Sequence, residues 1–406
     1  MRRSITLAAA LGLSLTLAAC SGGAETPAEE ETTSAAADGG TLTVWVDETR
    51  QAAVEAAAAD FEAETGTTVE TVLKNFDDIR ADFLAQVPTG EGPDITVGAH
   101  DWLGEMTSGG VVAPIELGDK VDEFEPVAIE AFTQDGQVYG LPYAVENIAL
   151  IRNTALAPAA PATWDEAVAA GQAAGTQYPI LIQMGEEGDP YTMYPLQTSF
   201  GAPVFTQNED GSYAAELALG GAGGEAFAQW LAAQGAAKVL DPTISYDIAV
   251  EAFKNGQSPF IVGGPWMIES FEGLELAVDP IPSAGGQPAQ PFVGVPGFYV
   301  NAQSDNALLA NDFLVNFMAT EEAQLALYEA GNRPPALIAA ADAASADPIT
   351  AGFREVGSDA VPMPSIPEMG SVWAFWGVTE ANIVKGAVEP VAGWQKMVAD
   401  IQGAIG

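Results

Sequence analysis

Thr41-Leu42-Thr43-Val44-Trp45-Val46 opens the part of the chain whose reading decides the fold. Leu42, Val44 and Val46 alternate with Thr41, Thr43 and Trp45, the period of a strand with two different faces. Val54, Ala58 and Phe61 then recur at helical spacing until Gly66, a helix stop. Residues 67–73 are β-branched enough for a second strand, and Ile79, Phe83 and Val87 repeat the helical spacing. Gly90-Glu91-Gly92-Pro93 breaks the chain before Asp94-Ile95-Thr96-Val97 starts a third strand. Strand, helix, strand, helix, strand predicts a parallel sheet covered by helices. In such sheets ligands gather at the carboxyl ends of the strands, which directs attention to residues 47–50 and 98–102.

Further along, the pattern restarts. Thr163-Trp164-Asp165-Glu166 has Thr and Glu at capping-box spacing before an Ala-rich helix, and Ile180-Leu181-Ile182 reads as a buried strand. Helices are predicted at 225–234 and at 246–254, where Tyr246, Val250 and Phe253 share a face. Phe260-Ile261-Val262 and Phe292-Val293-Gly294-Val295 are further strands, separated by turns rich in Gly and Pro. Residues 306–331 form a helix-rich segment, and the Pro-rich stretch 362–367 leads into Trp373-Ala374-Phe375-Trp376. Two α/β lobes are the economical reading.

The chain of 406 residues is 48% hydrophobic, which supports two substantial cores. Its 13 Lys+Arg stand against 56 Asp+Glu, a formal charge of −43. Such a field repels nucleic acid and anionic lipid and favours a neutral or cationic ligand. Cys20 is the sole cysteine, so no disulfide framework and no Cys-based zinc site is possible, and no cofactor or metal is expected. Arg2 and Arg3 precede an apolar run, 5–17, too short to span a bilayer. Leu17-Ala18-Ala19-Cys20 resembles a bacterial lipobox, in which the cysteine sulfur takes a diacylglyceryl group and becomes the first residue of the mature chain. Residues 1–19 are therefore expected to be a signal peptide and 20–40 a lipidated tether with almost nothing to bury.

Seven blocks carry a wider resemblance. They are Leu42-Thr43-Val44-Trp45, Gly90-Glu91-Gly92-Pro93-Asp94-Ile95, Ala99-His100-Asp101, Pro142-Tyr143-Ala144-Val145-Glu146, Gly263-Gly264-Pro265-Trp266, Pro291-Phe292-Val293-Gly294-Val295 and Ile366-Pro367-Glu368-Met369. In this order and spacing they resemble the maltose/maltodextrin-binding proteins of bacterial ABC importers, over nearly the whole chain from Gly40 onward. The resemblance implies a two-lobed α/β fold of the type II periplasmic-binding-protein kind, with a ligand cleft between lobes. It implies three crossovers near 145–148, 296–298 and 344–347, an N-terminal lobe of 41–145 plus 298–344, and a C-terminal lobe of 146–297 plus 345–406. It also implies a sugar in the cleft.

Carried over residue by residue, the family's polar contacts fall on Asp101, Glu146 and Arg50, with Arg50 standing where the family often has Lys. Sugar hydroxyls donate and accept, so carboxylates and a guanidinium facing them form charge-assisted hydrogen bonds. The aromatic contacts fall on Tyr191, Trp266 and Trp373, whose flat faces suit the C–H surface of a pyranose. Asp189 replaces a family Glu two positions before the tyrosine, and Asp47 and Asp78 add negative charge near the mouth. The chain departs from the enteric pattern at Gly98 for tryptophan, Trp102 for arginine, Asp78 for lysine and Gly377 for arginine. Trp102 and Trp376 are expected to restore aromatic surface from neighbouring positions.

The expected function is that of a lipid-anchored substrate-binding protein on the outer face of the cell membrane. It would be a monomer that binds a neutral maltose- or maltodextrin-type oligosaccharide by hinge closure and delivers it to ABC permease subunits. The chain has no G-x-x-x-x-G-K-[ST], so the ATPase is a separate protein. Two alternatives stay open: the same fold binding another oligosaccharide or a polyamine, and a glycoside hydrolase using Asp101 and Glu146 as its carboxylate pair. Trp164, Trp230, Phe83 and Phe253 read as packing, Trp45 as either packing or contact, and His100 as a structural residue with no partner for metal or acid/base work.

Overall fold

The computed structural model describes residues 40–208 and 213–406; Cys20, the expected signal peptide and the tether lie outside the described residues. Thr41–Val46 pairs in parallel with Thr68–Leu73 on one side and Ile95–Ala99 on the other. Leu42, Val44 and Val46 are fully buried, as their alternation requires. The helix Gln51–Thr65 ends where Gly66 turns into the left-handed region at φ 75° and returns its N–H to the Glu62 carbonyl. The helix Phe76–Gln86 begins where the Asn75 side chain accepts the Asp77 N–H.

The other half of this sheet differs from the parallel expectation. Pro296–Asn301 runs antiparallel to Ile95–Ala99 and also pairs with Gly140–Pro142 and Val112–Ala113. It enters from the other lobe through a short passage, so no covering crossover helix is needed to bring it alongside. The core of the first lobe gathers Leu42, Phe61, Phe83, Leu141, Phe298 and Phe313.

The second lobe is built on the strand order Leu181–Ile182, Phe260–Gly263, Ala149–Asn153, Leu276–Asp279. Its main core holds Trp164, Phe227, Trp376 and Trp394, with a smaller cluster around Phe253, Phe271 and Phe353 on the other side of the sheet. Trp164 and Trp230 pack edge to face at 5.1 Å, which answers to their helical spacing. Trp45 belongs to the first core, 5% exposed, with Phe83 against it.

A small third sheet joins the lobes. Glu146–Asn147 pairs antiparallel with Phe292–Gly294, which pairs in parallel with Val361–Pro362. Phe292 is buried in the second core while Val293 and Val295 are buried in the first. The second crossover thus lies at Gly294 and Val295, slightly before 296–298, because Pro296 is already paired with Ala99 in the first lobe's sheet. The third crossover separates the helix Ile338–Ala344, packed on Glu321–Gly331, from Pro348–Gly357, packed on Leu276–Asp279. His100 bolts this junction: its Nδ1 accepts the Val295 N–H at 3.0 Å and its Nε2 donates to the Met363 carbonyl at 3.0 Å. Burial depresses its pKa to about 4, so the ring is neutral and structural.

Candidate functional site

The carboxyl ends of the first lobe's strands carry polar groups, as the topology demands. Asp47 and Arg50 follow Thr41–Val46 and are both buried. Arg50 Nη1 bonds Asp47, its Nε donates to the Tyr143 hydroxyl, and Asp47 Oδ1 also takes the Thr49 N–H at 2.9 Å. The guanidinium carbon lies 4.8 Å from the Phe76 ring centre. Burial lowers the pKa of Arg50, opposed by Tyr143 and Glu146.

Asp101 sits in the turn His100–Trp102 that follows Ile95–Ala99. Its Oδ2 accepts the indole N–H of Trp373 at 3.1 Å, a bond between the two lobes. Burial raises this carboxyl to about 6, against the opposing pull of Arg80 and the Trp373 hydrogen bond. Glu146, on the joining strand, accepts the Arg333 Nε–H at 2.7 Å through Oε2.

Aromatic groups dominate the second lobe's side. Tyr191 lies in the first turn of Pro190–Thr198, Trp266 in the turn Pro265–Phe271 after Phe260–Gly263, and Trp373 in the helix Met369–Val384. The Tyr191 hydroxyl is buried with no hydrogen-bond partner among the described residues. A Cβ at Gly294 would stand 3.3 Å from that oxygen and 3.3 Å from Glu146 Cγ, so glycine keeps room between the two side chains. Burial, then the nearby charges of Glu146, Asp101 and Asp189, hold the Tyr191 pKa well above its ordinary value. A buried hydroxyl so placed, with no partner of its own, is suited to bonding a polar ligand.

Three sequence expectations need correction. Trp102 is 7% exposed and belongs to the first core. Its ring lies directly over Gly98, where a Cβ would come within 2.7 Å of it, and packs on Phe76 at 5.1 Å. It does take the space next to Gly98, as packing behind Phe76 and Arg50 and not as an open platform. Trp376 is fully buried, donates its N–H to Gln197 Oε1 at 3.0 Å and stacks beneath Trp373 at 5.5 Å. It lies behind Trp373 and backs its ring. Asp189 is occupied in capping Pro190–Thr198, accepting from the Thr192 N–H, the Thr192 hydroxyl and the Gln183 amide; its part is to fix the helix that presents Tyr191.

The structure thus brings together Arg50, Asp101, Glu146, Tyr191, Trp266 and Trp373 around the junction of the lobes, with Asp47 and Asp189 behind them. Sequence reasoning missed Arg333, Tyr143 and Phe76. Arg333 was findable as one of the chain's scarce basic residues, set in Gly331-Asn332-Arg333-Pro334-Pro335 where no regular element continues. Among the described residues no group of three or more His, Cys, Asp or Glu is placed to hold a metal.

The model of the family described as bacterial extracellular solute-binding protein matches residues 56–352. A solved Thermus thermophilus maltotriose-binding protein, bound with maltotriose, is similar over 90% of this chain and 100% of its own at 33% identity and a TM-score of 0.82. A maltodextrin-binding protein of Bacillus subtilis is 28% identical over 92% of this chain and 90% of its own. A galactooligosaccharide-binding protein of the same organism is 25% identical over 97% of this chain and 95% of its own.

Proposed function

The chain belongs to the bacterial extracellular solute-binding protein family, and from that premise we propose that it captures a neutral oligosaccharide, of the maltose or maltodextrin class, between its lobes. The observation that carries this reading is the buried, unpartnered Tyr191 hydroxyl beside Glu146, with Trp373 reaching across to Asp101. Donors, acceptors and flat rings converge there from both lobes, which is the chemistry a sugar needs. A ligand touching both lobes binds the closed arrangement better than the open one and shifts the population by that difference. The similarity to maltodextrin- and maltotriose-binding proteins supports the malto-oligosaccharide class, and the galactooligosaccharide relative makes the linkage the point to test.

Two buried guanidiniums, Arg50 and Arg333, argue against a polyamine. The glycoside hydrolase reading is disfavoured because Glu146 is paired with Arg333 and Asp101 with the Trp373 indole, and solute-binding proteins are the family's members. A calorimetric panel of maltose, maltotriose, a galactooligosaccharide and putrescine tests the assignment. Heat with maltotriose, and no glucose released on prolonged incubation, is the expected result; binding of putrescine alone would sink it.

Anchoring through Cys20 at the outer face of the membrane, a monomeric state, and delivery to permease subunits driven by a separate ATPase complete the proposal. Two or more acyl chains anchor stably where a single one does not. Cys20→Ser should therefore move the protein from the detergent phase to the aqueous phase, and unchanged partitioning would count against the anchor.

A further inference from the structure

Arg333 touches three parts of the molecule at once. The helix Glu321–Gly331 stops at Asn332, a left-handed residue at φ 54°, and Arg333 follows it. The next residues are sewn to the first crossover: the Pro334 carbonyl accepts the Val145 N–H at 2.9 Å and the Ala336 N–H donates to the Tyr143 carbonyl at 3.0 Å. From this anchored turn the Arg333 Nε donates to Glu146 Oε2 at 2.7 Å and Nη1 donates to the Thr49 hydroxyl at 3.3 Å. The guanidinium carbon lies over the Trp266 ring, 5.5 Å from its centre. First lobe, joining strand and second lobe each supply one of these contacts.

What remains unused is as informative. A guanidinium has five N–H donors in a rigid plane, and those on Nη2 meet no acceptor among the described residues. Glu146 spends Oε2 on Arg333, while Oε1 has no hydrogen-bond donor among the described residues. The Arg333 side chain is 9% exposed and that of Glu146 is 15%, so neither free edge is bathed in bulk water. A free donor edge and a free acceptor oxygen therefore stand side by side next to a tryptophan.

We propose that Arg333 is a specificity-determining sugar contact, acting with Glu146 as one donor–acceptor pair that reads two neighbouring hydroxyls of a ring bound beside Trp266. Nη2 donates to one hydroxyl and Glu146 Oε1 accepts from the next. The pair is neutral as a whole, which suits an uncharged ligand in a chain of −43, and the Arg333 bond holds the carboxylate in the orientation the second hydroxyl needs. Thr49 and Glu146 hold the guanidinium and Trp266 meets it from the other lobe, so the ring joins the contact when the lobes are together. The inference rests on the oligosaccharide reading and adds to it the residue that selects adjacent hydroxyls.

The test is calorimetry of maltotriose with wild type, Arg333→Ala and Arg333→Lys, with melting temperature as the check on folding. Loss of a charge-assisted bond in a closed site should weaken Arg333→Ala by about 10- to 100-fold. Arg333→Lys keeps the charge but not the planar fork, and should fall in between. Low-millimolar guanidinium should recover part of the Arg333→Ala affinity and leave wild type unchanged, which a merely structural loss would not show. Wild-type binding matched by both variants to within about twofold overturns the inference alone. Should Arg333→Ala fail to fold, Arg333→Lys decides by the same criterion. No heat with wild type overturns the sugar reading and this inference with it.

Discussion

The two walls of the cleft are made of different material and are finished to different degrees. On the first lobe Asp47 and Arg50 are already engaged, with each other and with Thr49 and Tyr143, while Arg333 and Glu146 are only partly so. On the second lobe the rings of Tyr191, Trp266 and Trp373 stay half-buried, and the Tyr191 hydroxyl has no partner among the described residues. A polar group that must trade one hydrogen bond for another gains little on binding, whereas apolar ring surface removed from water gains in proportion to its area. On the sugar reading, the Asp47–Arg50 pair is therefore expected to contribute mainly orientation and the rings of the second wall to contribute apolar contact, while Arg333 and Glu146 each keep a free edge for a ligand.

Glycine seats two tryptophans, one in each wall, and shows the same contrast. A Cβ at Gly98 would stand 2.7 Å from the Trp102 ring, and one at Gly264 would stand 2.1 Å from the Trp266 ring. At both seats an indole ring occupies the space a Cβ would need. Trp102 is then closed over by Phe76, while Trp266 is met by Tyr191 at 6.4 Å and by the Arg333 guanidinium, and keeps some exposure.

The sharpest way to break the comparison is to truncate a ring in each wall. Trp102→Ala should cost about 3 kcal/mol or more of folding stability, as for a buried tryptophan, with a smaller effect on maltotriose affinity. Trp373→Ala should cost about 2 kcal/mol of affinity, as for a central aromatic contact, and less stability. Denaturant melts and calorimetry on both variants check this; an affinity loss for Trp102→Ala equal to that for Trp373→Ala would erase the distinction between a packed and a contacting indole.

Methyl groups added to the two seats test the same difference more gently. Gly98→Ala and Gly264→Ala should each destabilise by about 1–3 kcal/mol through overpacking. Only Gly264→Ala should also weaken sugar binding, because it pushes a ring that lines the cleft. Equal affinities for the two variants would place Trp266 outside the sugar's reach.

The smallest expected effect is the pH dependence at Asp101. Its carboxyl is raised from 3.8 to about 6 in the folded protein. The native state therefore holds this proton more tightly than the unfolded chain does, and the stabilisation it gives at low pH is lost as pH rises to about 6. A sugar hydroxyl donating to the carboxylate favours the ionised form, so affinity should fall as pH drops below about 6. Titrating binding from neutral to acid pH in wild type and Asp101→Asn checks this; a slope that persists unchanged in the variant would assign it to another group.

What could be read from the sequence was whatever depends on near neighbours. The alternation of Leu42, Val44 and Val46, the helix stop at Gly66 and the cap at Thr163 are local patterns, and the elements stand where those patterns put them. The ordered blocks from Leu42 to Met369 carried the two-lobed fold, and with it the candidate positions Asp101, Glu146, Tyr191, Trp266 and Trp373. The fate of the other tryptophans was not legible, because an indole is buried by what arrives from elsewhere: Phe76 and Tyr299 around Trp102, Gln197 and Tyr194 around Trp376. The same holds for the pairs that finish the cleft. Asp101 and Trp373 are 272 residues apart, and Glu146 and Arg333 are 187 apart. No local pattern couples such distant positions; three crossings of the chain between two cores bring them within hydrogen-bond reach, and only the tertiary structure decides which free edges are left for a ligand.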